Sequence, residues 1–114
     1  QRELGEAWSK TVVMVVTEFG RTAKINGTGG TDHGTATAAM LVGGAVNGGR
    51  IKADWPGLST SNLYQGRDLY PTTDTRSVFK GVLIQHLHLQ EQFLDQRVFP
   101  DTKPVPVIDG LVHT

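Results

Sequence analysis

Two short stretches of this chain carry residue types that can do chemistry. The first is Thr17-Glu18-Phe19-Gly20-Arg21-Thr22. It follows an apolar, β-branched run, so Glu18 is expected just past the C-terminal end of a buried strand. In open α/β sheets, ligands collect in the crevice outside those ends, and loops there are rich in function. Glu18 is then a ligand or reactive carboxylate, or else a surface partner of Arg21. The Arg21 guanidinium matches the geometry of a tetrahedral oxyanion such as phosphate or sulfate.

The second stretch is Gly29-Gly30-Thr31-Asp32-His33-Gly34. Adjacent Asp and His pair a hard oxygen with a borderline imidazole nitrogen, a mixture suited to zinc, manganese or iron. In a second reading Asp32 orients the imidazole, while His33 is a ligand or general base. In a third, Asp32 simply caps the following segment and His33 is exposed. Elsewhere the signals are weaker. His86 and His88 have a spacing that can bind metal from a strand, but their segment reads as a helix, where residues two apart diverge. Arg50 reads as a surface residue, and His113 is expected to be disordered next to the chain end. Gly27-Thr28-Gly29-Gly30 is not a phosphate-binding P-loop, because no Gly-Lys-Ser/Thr follows.

Composition narrows the classes. Lys plus Arg and Asp plus Glu are 11 each in 114 residues, a formal net charge of zero with no basic cluster, which argues against an electrostatic nucleic-acid binder. With no cysteine there is no disulfide framework, cysteine metal site or thiol nucleophile. The longest apolar run, Thr11 to Thr17, is too short to span a bilayer. Gln1-Arg2-Glu3-Leu4 reads as the tail of a helix rather than as a signal peptide. One domain is the natural count for this length, and the missing initiator Met makes a piece of something longer the expectation. The chain has 14 glycines, ten of them between Gly20 and Gly57, so that stretch must make turns and close approaches.

The elements that position these residues follow from periodicity. Leu4, Ala7 and Trp8 read as the last turns of an amphipathic helix, followed by a turn at Ser9-Lys10. Thr11 to Thr17 reads as a strand covered on both faces, and Thr37 to Val42 as a second one. Asn47-Gly48-Gly49 predicts a hairpin into Arg50–Trp55, with Trp55 covering a core edge. A short strand is expected near Asp68 to Tyr70. Val78, Phe79, Val82, Leu83, His86 and Leu87 predict a helix from about Thr75 to Leu87, capped by Thr73 or Asp74. A second short helix is expected over Glu91 to Val98, ended by Phe99-Pro100. Lys103-Pro104-Val105-Pro106 predicts an extended tail.

Thr17 to Thr22, Asn26-Gly27, Gly30-Thr31-Asp32-His33, Gly43-Gly44, Gly48-Gly49, Asp54-Trp55-Pro56-Gly57-Leu58, Thr73-Asp74-Thr75-Arg76 and Phe99-Pro100 together resemble the bacterial fifteen-oh-one domain-of-unknown-function family. That family looks like a branch of the alkaline phosphatase-like, or sulfatase-like, superfamily, and its members are much longer exported proteins. The resemblance implies an α/β fold: the C-terminal portion of an alkaline phosphatase-like three-layer sandwich, with buried strands, flanking helices and a β-hairpin. It also implies a site segment over 11–57, a helical segment over 74–99 and a tail over 100–114.

By the same resemblance, Glu18, Asp32 and His33 stand where metal ligands would. Glu18 replaces an Asp of the superfamily's Asp-His-Gly strand end, and Phe19 stands in place of its His. Arg21 is the candidate oxyanion binder. The implied cofactor is a divalent metal, zinc first, with manganese, calcium or iron as alternatives. The implied partners are the N-terminal part of the parent chain and a small-molecule ester. Neither a nucleic acid nor a membrane span is implied, and the location is periplasmic or exported.

The leading expectation is the C-terminal part of a metal-dependent phosphate or sulfate ester hydrolase, inactive by itself because the nucleophile lies upstream. The alternative is a non-catalytic binding or structural module of the cell envelope. Strands written for burial on both faces, cut from their sheet, also predict a homo-oligomer or a place in a larger assembly.

Overall fold

A computed structural model describes residues 2–113. The chain divides into two compact units: the first holds the residues up to Val13, Leu41–Ile51 and Asp74 onward, and the second holds Met14–Met40 and Lys52–Thr73. Helix and small sheets are mixed, in keeping with an α/β class. The strands are β1 (Val13–Val15), β2 (Gly20–Arg21), β3 (His33–Gly34) and β4 (Met40–Val42); the helices are α1 (Thr75–Leu87) and α2 (Glu91–Phe93). β1 pairs with β4, and β2 with β3.

The first unit is organised on α1, which has the predicted bounds. Asp74 is its N-cap, and the Asp74 carboxylate accepts from the Arg76 N–H at 2.9 Å. His88 closes the helix in the left-handed conformation. α2 runs on into a π-helical turn, Leu94–Val98, with Leu94 fully buried. The segment Gly5–Lys10 is a 3-10 helix rather than the end of an α-helix; the prediction at Gln1 lies outside the described residues.

The tail is not extended as predicted. It folds back along α1, because Gln85 grips it from both sides: Nε2 donates to Ile108 O at 2.7 Å, and Oε1 accepts from Leu111 N–H at 2.9 Å. Gly81 makes this possible, since a Cβ there would run into Ile108 O. Val112 then forms an antiparallel bridge with Val46, and His113 N–H donates to Ala45 O at 2.8 Å. His113 is therefore ordered in the backbone, against expectation. Leu111, Val112, Ala45, Val82 and Leu94 are buried. Lys80 is buried with them at 0 % exposure, and its ammonium reaches Asp95 at 2.5 Å, Thr102 O at 2.6 Å and Val105 O at 3.1 Å.

The expected hairpin is absent for the same reason. The Val46 edge is taken by Val112, Gly48 N–H turns back to Val46 O, and Arg50 reaches Gly110 O. Arg50–Trp55 carries no strand. Trp55 is 63 % exposed and covers no core edge.

The two strands expected to be buried are shorter than predicted and half open. Val13 and Val15 are each 45 % exposed, and Met40 58 %. The β1–β4 sheet has only two strands, and the apolar residues Val13, Val15, Met40 and Val42 all meet solvent. Among the described residues, no helix is long and apolar enough to cross a membrane.

Candidate functional site

The second unit carries the residues singled out for chemistry. β2 and β3 run antiparallel, with Gly20 opposite Gly34 and Arg21 opposite His33. The glycine pair lets the backbone close in: a Cβ on Gly20 would strike the Ala36 carbonyl, and one on Gly34 would lie 2.6 Å from the Arg21 carbonyl carbon. Directly opposed residues project from the same face, so this register sets an arginine and a histidine side by side.

Thr22 locks the ladder from beneath. It is buried; its N–H donates to Asp32 O at 3.0 Å, and its Oγ1 accepts from Asp32 N–H at 3.1 Å. Arg21 turns its guanidinium onto Thr31, Nε to Oγ1 at 3.0 Å and Nη2 to the carbonyl at 2.7 Å. This differs from the surface pairing with Glu18. The His33 ring stacks on Phe19, with centroids 4.7 Å apart and planes 7° from parallel. Phe19 thus acts as a platform for the His33 ring. Metals and protons bind imidazole nitrogens in the ring plane, so a face stack fixes the ring without covering them.

Asp32 is exposed, and its Oδ1 accepts from Asn26 Nδ2 at 3.0 Å. Asn26 in turn organises the glycine-rich loop. Its Oδ1 accepts from Thr28 N–H at 3.0 Å, Thr28 Oγ1 at 2.9 Å and Gly30 N–H at 3.0 Å. Glu18 is exposed. The donor types of Glu18, Asp32 and His33 suit a divalent cation. Yet among the described residues no group of three or more His, Asp or Glu is placed to hold a metal ion. The structure joins Arg21, Thr31, His33 and Phe19 on one ladder, with Asp32 tied to the loop beside it. Glu18 is not gathered with Asp32 and His33 into such a group.

Asp68 is the residue that sequence reasoning missed. It is 2 % exposed and forms bridges with both Thr22 and Tyr64; a strand was expected from here to Tyr70, and only these two isolated bridges form at Asp68. Its carboxylate accepts from Thr35 Oγ1 at 2.7 Å and from Arg67 Nε at 2.8 Å. The Thr35 hydrogen bond, then Arg67, holds the Asp68 carboxyl below its ordinary 3.8. Only Arg67, its neighbour in sequence, hints at this; Thr35 lies 33 residues away.

A group with a lowered folded pKa contributes stability above its unfolded pKa, and that stability is lost as pH falls through the folded value. Wild type is therefore expected to exceed Asp68→Asn in stability by a constant margin above about pH 4, narrowing below it. Acid unfolding followed by circular dichroism checks this; a margin independent of pH would refute the carboxylate's role.

In the first unit a pocket of about 480 Å³ is lined by Asn47, Gln85, Asp109, Gly110, Val112 and His113. Its amides serve the fold, Asn47 Nδ2 donating to Gly110 O and Gln85 holding the tail. His86 is half-buried on α1 and His88 is its exposed cap.

A family model described as "Protein of unknown function (DUF1501)" matches residues 1–100. No curated protein and no solved structure matches the chain.

Proposed function

Because this chain belongs to the DUF1501 family of proteins of unknown function, we propose that it is the C-terminal part of an exported, metal-dependent hydrolase of phosphate or sulfate esters. The parent would have an alkaline phosphatase-like three-layer sandwich. One observation carries the reading: Arg21 and His33 are opposite partners on the β2–β3 ladder, with Asp32 next in the chain. Together these supply a cation for an oxyanion, an imidazole, and a carboxylate.

Thr31 holds the Arg21 fork in a fixed direction, and Phe19 holds the His33 ring. Such preorganisation costs little reorganisation when substrate arrives. Asp32 and His33 are the residues here that would hold part of a metal site; further ligands and the nucleophile would come from the rest of the parent. A bound divalent ion would supply charge stabilisation to the ester oxygens. The chain has no cysteine, and the resemblance places the Ser or Thr nucleophile elsewhere in the parent, so the chain alone is expected to show no turnover.

The test uses the full-length parent. His33→Ala is expected to lower bound metal and to cut hydrolysis of an aryl phosphate or sulfate by more than the roughly 10–100-fold typical of losing a partner outside the ligand shell. Unchanged metal content and unchanged rate would overturn the assignment.

A second reading is a binding module of the cell envelope that keeps the fold without catalysis. The Phe19–His33 stack favours it, because an aromatic ring stands where a ligand histidine would. A parent that binds inorganic phosphate through Arg21 but turns over no ester with any added divalent metal would select this reading.

A further inference from the structure

We infer that Asn26 is a self-modification site, whose side-chain amide converts through a cyclic imide to a carboxylate within the folded protein. The chain has two Asn-Gly dipeptides, Asn26-Gly27 and Asn47-Gly48. In either, the glycine nitrogen can attack the asparagine Cγ. A bond forms between that nitrogen and Cγ, the Cγ–Nδ2 bond breaks, and the amide leaves as ammonia carrying the proton lost by the glycine N–H. Water then opens the imide, giving aspartate or isoaspartate. Negative charge develops on Oδ1 during the attack.

The fold treats the two sites differently. At Asn26 three donors converge on Oδ1: Thr28 N–H at 3.0 Å, Thr28 Oγ1 at 2.9 Å and Gly30 N–H at 3.0 Å. They form a cradle on the atom that becomes an oxyanion, the arrangement that lowers acyl-transfer barriers. Asp32 Oδ1 holds Nδ2 at 3.0 Å and so fixes the amide plane. Gly27 stands in open space, with no heavy atom within 4 Å of where a Cβ would be. Among the described residues, no backbone hydrogen bond takes its N–H.

At Asn47 the attacking group is occupied, because Gly48 N–H donates to Val46 O at 2.9 Å. The Asn47 amide is held through its nitrogen, which donates to Gly110 O at 3.3 Å. Conversion at Asn26 replaces the donor that faces Asp32 with a second carboxylate. The loop that precedes His33 then loses one hydrogen bond and gains a like-charge pair.

The experiment ages the purified chain at neutral pH, folded and in urea, and resolves each asparagine by fragmentation mass spectrometry. In the folded protein Asn26 is expected to convert about 10-fold faster than Asn47, well under the roughly 100-fold of an enclosed oxyanion donor because these hydrogen bonds are exposed to solvent. In urea the two are expected to convert alike. Thr28→Ala, which removes an exposed hydroxyl, should slow Asn26 several-fold, and Thr28→Ser should restore the rate. Equal folded rates, faster conversion at Asn47, or a Thr28→Ala rate equal to or above wild type would overturn the inference; the last would mean that the cradle locks the amide instead.

Discussion

Lys80→Ala is expected to cost about 3–5 kcal/mol of stability, the range for removing one partner of a buried pair. Nothing in the helix pattern marks Lys80 as buried, yet it is fully enclosed. Its three ammonium protons match three acceptors: Asp95 Oδ1, Thr102 O and Val105 O. These acceptors belong to the π-helical turn and the tail, so a single side chain fastens both to α1. Truncation leaves the Asp95 carboxylate and two carbonyls without that donor, and unsatisfied buried polar groups are costly.

The loss is a large share of a typical domain's 5–15 kcal/mol. Asp95→Asn keeps an acceptor for Lys80 and should cost less. Urea denaturation of both variants checks the order. A midpoint for Lys80→Ala equal to that of Asp95→Asn would show that the two carbonyl bonds contribute nothing.

Gly20→Ala is expected to break the β2–β3 ladder, at about 3 kcal/mol, the upper part of the usual range for overpacking. The reason lies in what the new methyl would meet. At Gly20 the obstacle is the Ala36 backbone, carbonyl oxygen, carbon and nitrogen together, which cannot swing aside as a side chain can. The partner glycine, Gly34, is equally crowded by Arg21 and Thr22 backbone. With the ladder gone, Arg21 and His33 lose their register, and the Phe19–His33 stack goes with it.

Gly27→Ala is the control, since its methyl meets nothing within 4 Å. Backbone amide exchange at Thr22 and Asp32 reads the ladder directly through their mutual hydrogen bonds. Protection in Gly20→Ala equal to that of Gly27→Ala would refute the close-approach argument.

Much of the local structure was legible because its causes lie within a few residues. The spacing of Val78, Phe79, Val82 and Leu83, with Asp74 two residues before the N–H it caps, is enough to bound α1. The glycines around Asp32-His33 mark a tight segment, and the order of motifs marks the family over residues 1–100. The zero net charge and the lack of cysteine needed no fold to be read.

Tertiary structure decided the rest, because burial and pairing depend on which surfaces meet. An apolar run such as Thr11 to Thr17 reads as buried, but here it joins a sheet of only two strands, and Val13, Val15 and Val16 meet solvent. Asn47-Gly48-Gly49 is a sound hairpin signal, but a strand edge takes one partner, and Val112 from the far end of the chain occupies Val46. Lys80 reads as a solvated charge until three acceptors, all at least 15 residues away in sequence, enclose it. At the candidate site, sequence supplied Arg21, Asp32 and His33 as the chemical types; the pairing of two glycines is what sets Arg21 against His33, because only residues without a Cβ let those backbones come so close.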